Sequence, residues 1–135
     1  MNKYLKFIRR VNLKSLFFNL KYLPFRQAIK FPILVSRNVF ILEFSGKVEI
    51  KGPISTGMIQ IGYGSVGIFD MKRQRSIWEV FGKVVFNGKT HLGHGTKISV
   101  GKNGSLEFGK DFTLTAESAI ISQKQIKFGD SCLVS

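Results

Sequence analysis

Few side chains in this sequence could do chemistry. There are two histidines, His91 and His94, and one cysteine, Cys132. Imidazole titrates near neutral pH and is the usual proton carrier in group transfer. Three protein ligands are the minimum for a catalytic zinc, so two histidines do not complete such a site, and no metal is expected. Cys132 is far along the chain from both histidines and sits in an apolar run, which reads as a small buried hydrophobe, not a nucleophile. His94 lies between two glycines, where a turn should point it outward as an ordinary surface histidine. The glycine pairs Gly62-Tyr-Gly64 and Gly93-His-Gly95 lack both a following GK[ST] and a helix, so they make a weak case for a phosphate loop. The residues alone therefore name no catalytic, cofactor-binding or metal-binding side chain.

The elements that would position any site come next. From about residue 46 short alternating segments follow one another: Val48-Glu-Ile50, Ile59-Gln-Ile61, Val84-Val-Phe86, Ile98-Ser-Val100, Leu106-Glu-Phe108 and Ile126-Lys-Phe128. Each places its apolar side chains on one face of a strand. Glycine and small polar residues recur between them, which is turn chemistry. Phe86, Leu92 and Ile98 lie six apart, as do Phe108, Leu114, Ile120 and Ile126. The shift between these two series needs extra corner residues, for instance around Gly101 to Gly104. A six-residue period with one inward aliphatic predicts a β-helix whose coils bury one another. An antiparallel sandwich or barrel is the competing fold, but its strands would be spaced more widely.

Residues 63–83 interrupt the period. They read as a loop excursion carrying the basic cluster Lys72, Arg73, Gln74, Arg75 and then Trp78, either a functional insertion or a plain solvated connection. The domain division expected is a basic, aromatic, helical and extended segment over 1–45 and the repeats over 46–135. Within the first, Asn12 can cap a helix whose Leu13, Leu16, Phe17 and Leu20 form an apolar stripe. Leu23-Pro24 should end it, and a short turn of helix can run from Pro24 to Ala28. Pro32 stops that turn, and Ile33, Val35, Val39 and Ile41 signal extended chain.

The net charge of +13 is concentrated at this end. Residues 1–42 hold nine Lys/Arg and no Asp or Glu. Interleaved aromatics such as Tyr4, Phe7, Phe17 and Tyr22 make an anionic membrane surface the expected partner, with an acidic protein and nucleic acid as rivals. Specific nucleic-acid reading is not expected, because the fold offers no groove-reading element. The alternative is that the helix packs on its own domain and its apolar stripe caps the first coil. A lone cysteine fits a reducing compartment. No secretory signal or membrane span is legible, so the cytoplasm, at the inner face of the membrane, is the expected location.

The segments Ile61-Gly-Tyr-Gly64, Leu92-Gly-His-Gly-Thr96, Val100-Gly-Lys-Asn-Gly104, Phe108-Gly-Lys-Asp111 and Phe128-Gly-Asp-Ser131 follow one pattern: an aliphatic or aromatic, glycine, then variable and small residues. In this the chain resembles the bacterial hexapeptide-repeat acyltransferases, and more closely the acetyltransferases of surface-polysaccharide pathways, which share a segment like Leu16 to Gln27 and one like Gly57 to Asp70. The resemblance implies a left-handed parallel β-helix and a homotrimer with sites between subunits. It also implies acetyl-CoA as donor, a sugar or glycan acceptor, and a histidine base. The γ-class carbonic anhydrases share that fold, but their three zinc-binding histidines have no counterpart here. In the family, an Asp-rich loop ending in the catalytic histidine follows a stretch like Phe128 to Ser135. The expectation is therefore an incomplete acyltransferase, lacking its base and inactive alone. A non-catalytic β-helical binding or scaffold module is the other class of reading.

Overall fold

The computed structural model describes residues 13–36, 39–63, 76–115 and 118–134. Among these, two helices precede or lean on thirteen short strands. Helix α1 spans Leu13–Tyr22 and α2 Phe25–Ala28. The strands are β1 (Ile33–Val35), β2 (Val39–Glu43), β3 (Lys47–Ile50), β4 (Ile59–Tyr63), β5 (Ser76–Val80), β6 (Lys83–Phe86), β7 (Thr90–Gly93), β8 (Lys97–Val100), β9 (Ser105–Phe108), β10 (Phe112–Leu114), β11 (Ala119–Ser122), β12 (Gln125–Lys127) and β13 (Leu133–Val134).

Every third strand pairs. The sheets run β1-β4-β7-β10-β13, β2-β5-β8-β11 and β3-β6-β9-β12, and every pairing is parallel. This mainly β arrangement is consistent with a parallel β-helix and excludes the antiparallel sandwich, whose hairpins would join neighbours in sequence. The alternating segments of the sequence fall on β3, β4, β6, β8, β9 and β12. Their apolar teeth point inward because an unpaired apolar face in water is costly, and each coil covers the next.

In-register pairing turns the core into columns of like side chains. Val48, Val84 and Leu106 align, as do Ile50, Phe86 and Phe108. Phe86 stacks on Phe108 at 5.3 Å and Phe108 on Phe128 at 5.8 Å, with Phe112 tilted against both Phe108 and Phe128 at 4.7 Å. Offset aromatic stacks of this kind add to the burial itself. At one corner the coils touch through backbone. A Cβ built on Gly82 would stand 2.2 Å from the Gly104 carbonyl oxygen, so no larger residue fits there.

Two expectations need correction. The loop excursion does not extend to residue 83. Residues 64–75, with the basic cluster, lie outside the described residues, but Ser76–Val80 is strand β5, with Ser76, Trp78 and Val80 buried. Polar Ser76 and Glu79 hid its alternation. The helix also turns the other way. Asn12 lies outside the described residues, and α1 begins at Leu13 and ends before Leu23-Pro24 as its sequence requires. Its buried residues, however, are Ser15, Phe18 and Asn19, while Leu13, Leu16, Phe17 and Leu20 are exposed.

The reason is the edge it meets. Among the described residues β1 ends its sheet, and the outward N–H and C=O groups of Ile33 and Val35 meet the helix in place of a further strand. Asn19 supplies both partners to Ile33, its Nδ2 donating to the carbonyl at 2.8 Å and its Oδ1 accepting from the N–H at 3.1 Å. Ser15 Oγ does the same for Val35, at 3.1 and 2.7 Å. Side chains one helical turn apart thus match two strand groups two residues apart. Phe18 and Tyr22 then pack on Phe44 and Trp78.

Candidate functional site

Strand alternation carries through the sheet β1-β4-β7-β10-β13. In β4, β7 and β10 the flanking residues Ile59/Ile61, Thr90/Leu92 and Phe112/Leu114 are buried, and the middle residues Gln60, His91 and Thr113 are half-buried on the outer face. Pairing places Gln60 beside His91 and His91 beside Thr113. The result is a polar row crossing three coils at the spacing of adjacent strands, about 4.8 Å.

A groove of about 420 Å³ lies over this row. One wall is the segment Ser55 to Met58, which turns at Gly57 with φ +70°. That wall is fixed from below. Thr56 Oγ1 donates to the Lys30 carbonyl at 2.6 Å, and Gly57 N donates to the Phe31 carbonyl at 3.1 Å. Gln60 Nε2 reaches the Gly57 carbonyl at 3.4 Å, tying wall to floor. Lys89 and Asp111, exposed at the corners that lead into β7 and β10, line the groove with one charge of each sign. Asp111 adopts φ +56°, a left-handed conformation that aspartate tolerates better than most residues.

His91 is the most reactive group in this lining. Its Nε2 lies 3.1 Å from the Tyr63 carbonyl oxygen. A carbonyl can only accept, so Nε2 donates in this contact, which orients the imidazole. With an ammonium, a carboxylate, an amide and hydroxyls nearby, the groove suits a small polyhydroxylated or zwitterionic molecule. Such ligands are held by convergent hydrogen bonds of both senses.

His94, expected to face solvent, does not. It is 1% exposed, in a corner where Gly95 (φ +78°) donates its N–H to Ser76 Oγ at 2.9 Å and Thr96 Oγ1 donates to the Gly93 carbonyl at 2.9 Å. Lys102 and Lys110, at the same position of other corners inside the stack, are exposed, so the enclosure is particular to the His94 corner. Among the described residues neither ring nitrogen has a hydrogen-bond partner. An unpartnered buried polar group costs about 1–3 kcal/mol relative to an apolar side chain of similar shape. His94→Leu is therefore expected to stabilise the fold by about 1 kcal/mol, raising the thermal midpoint by a few degrees. A lowered midpoint by calorimetry would show that the imidazole is satisfied after all.

The structure thus brings His91 together with Lys89 and Asp111 and separates it from His94. Cys132 is half-buried against the core and does not line the groove. Gln60, Lys89, Asp111 and Thr113 carried no signal of their own in the sequence. They meet only through the register of three coils. Among the described residues there is no cluster of three or more His, Cys, Asp or Glu able to hold a metal, and no helix is long and apolar enough to cross a membrane.

What the fold and groove define is a mainly β protein of three parallel sheets with a groove lined by polar residues on one outer face. Comparison with family models, with curated proteins and with solved structures found no match.

Proposed function

We propose that the chain is a left-handed, hexapeptide-repeat acyltransferase domain. It would move an acetyl group from acetyl-CoA to a hydroxyl or amine of a sugar, as a homotrimer. The observation that carries this reading is the polar groove on the face of stacked parallel coils, with His91 held at its floor. The Gly-containing repeats from Ile61 to Ser131 and the resemblance they carry support the chemistry and the hand of the helix. Acyl transfer to an alcohol needs a base to take its proton as the thioester is attacked. His94 is enclosed and cannot serve. His91 is assigned to binding and orienting the acceptor, and the base is assigned elsewhere than to either histidine.

Titration calorimetry and amide-shift mapping with acetyl-CoA and a panel of hexoses and amino sugars test this. A sugar is expected to shift Gln60, His91 and Thr113, and His91→Gln to weaken its binding by roughly tenfold, the worth of one good hydrogen bond. Acetyl transfer by this chain alone at an enzyme-like rate would sink the assignment of the base elsewhere. If neither sugar nor acetyl-CoA binds, the second reading stands: a non-catalytic scaffold module. The enclosure of one histidine and the engagement of the other by a backbone carbonyl favour that reading.

A further inference from the structure

Helix α1 closes the first coil with its polar side and turns its apolar side to solvent. Leu13, Leu16, Phe17 and Leu20 recur at the spacing of one helical stripe. All four are exposed, Leu13 by 83% and Leu20 by 54%. Phe17 keeps one edge on Phe44 at 4.6 Å, and Phe25 and Ile29 of the next turn of helix add exposed apolar side chains at 73% and 64%. Apolar surface gathered in this way marks a contact site.

Charge identifies the occupant. Lys21, Arg26 and Lys30 are exposed among these side chains. No acidic residue occurs before Glu43. A second copy would bring one basic segment against another, in a chain of net charge +13. Nucleic acid would satisfy the charge but not bury the leucines, since its backbone contacts are polar. A bilayer with anionic headgroups answers both, because an interfacial helix sinks its apolar side to the acyl boundary while lysine and arginine stay at the headgroups. The position fits as well. Helix α1 lies on β1, the terminal strand of its sheet, so the stripe is at the end of the stack, where a flat surface can reach it.

We propose that α1, with Phe25 and Ile29, is an interfacial anchor that seats the coil stack end-on upon an anionic lipid bilayer. The anchor stands on these side chains alone and does not depend on the groove's chemistry.

Co-sedimentation of the full chain tests it, with vesicles of phosphatidylcholine alone and of phosphatidylcholine mixed with phosphatidylglycerol. The chain is expected to sediment with the mixed vesicles and not with the neutral ones, less so as salt is raised. Leu16→Ser with Leu20→Ser should weaken partitioning by on the order of tenfold or more, because two leucines no longer enter the lipid. Lys21→Gln with Arg26→Gln and Lys30→Gln should weaken it on the order of a hundredfold on mixed vesicles. All five positions are exposed, so both variants should keep the circular dichroism and melting of the parent chain. Absence of binding to mixed vesicles overturns the proposal, as does equal binding to neutral ones. Binding sensitive to the charge variant but not to the serine variant would show a purely electrostatic contact, and also overturns it. So would self-association that the serine variant abolishes, since the occupant would then be a second copy.

Discussion

Replacing Trp78 by alanine is expected to cost about 3–5 kcal/mol, a large part of the stability of a chain this size. The indole is 1% exposed and is the hub joining helix to coils. Phe18 meets it edge-on at 5.3 Å and Tyr22 at 6.4 Å, and Nε1 donates to the Tyr22 hydroxyl oxygen at 3.1 Å. Its Cα neighbours in the sheet are Ile41 and Ile98, so alanine opens a cavity between two coils and under α1 at once. Denaturant unfolding measures the loss, and a change below about 1 kcal/mol would mean that the cluster does not hold the helix. A second readout follows from Tyr22. Burial pushes its phenol up to about 12 from the ordinary 10.0, with the Trp78 hydrogen bond acting the other way and Glu43 adding to the rise. A phenol whose folded value is raised stabilises the fold fully below the unfolded value. That contribution is lost as pH rises from about 10 through about 12.

How much of this was legible in the sequence depends on whether a residue's partner is near in the chain. The strands with clean alternation, such as Ile98-Ser-Val100 and Leu106-Glu-Phe108, show themselves because their period is local. So does the stop at Leu23-Pro24, which is a backbone restriction. Strand β5 was hidden because Ser76 fills an inward place with a hydroxyl that serves Gly95 N–H on the next coil, a contact nineteen residues away. His94 was misplaced for a related reason. The first variable position of a corner is exposed at Lys102 and Lys110 and enclosed at His94, although the repeat pattern is the same in all three. The groove was illegible in the same sense. Lys89 and Asp111 reach it from different coils, and the register that aligns Gln60, His91 and Thr113 spans an interruption whose length no periodicity gives.

The helix face failed for a different reason, and it leads to the second large effect. Reading an amphipathic stripe assumes that a helix meets an apolar core. Here it meets a strand edge, where the demand is for hydrogen bonds. Asn19→Leu would enrich the inward face in apolar surface, and stripe-counting would expect a gain. The structure leads to the opposite expectation, a loss of about 2–6 kcal/mol, because the Ile33 N–H and C=O would both be buried without partners at about 1–3 kcal/mol each. Ser15→Ala should cost less, since alanine is small enough to admit a water to the two Val35 groups. Amide exchange separates this mechanism from a simple packing defect. In Asn19→Leu the Ile33 amide should lose protection selectively, while Val35, still served by Ser15 Oγ, keeps more of its own. If Ile33 stays protected and stability is unchanged, the side-chain ladder is not what closes the sheet. If it is, the bared β1 edge should also pair with other copies. Asn19→Leu would then sediment heavier with rising concentration under conditions where the parent chain does not.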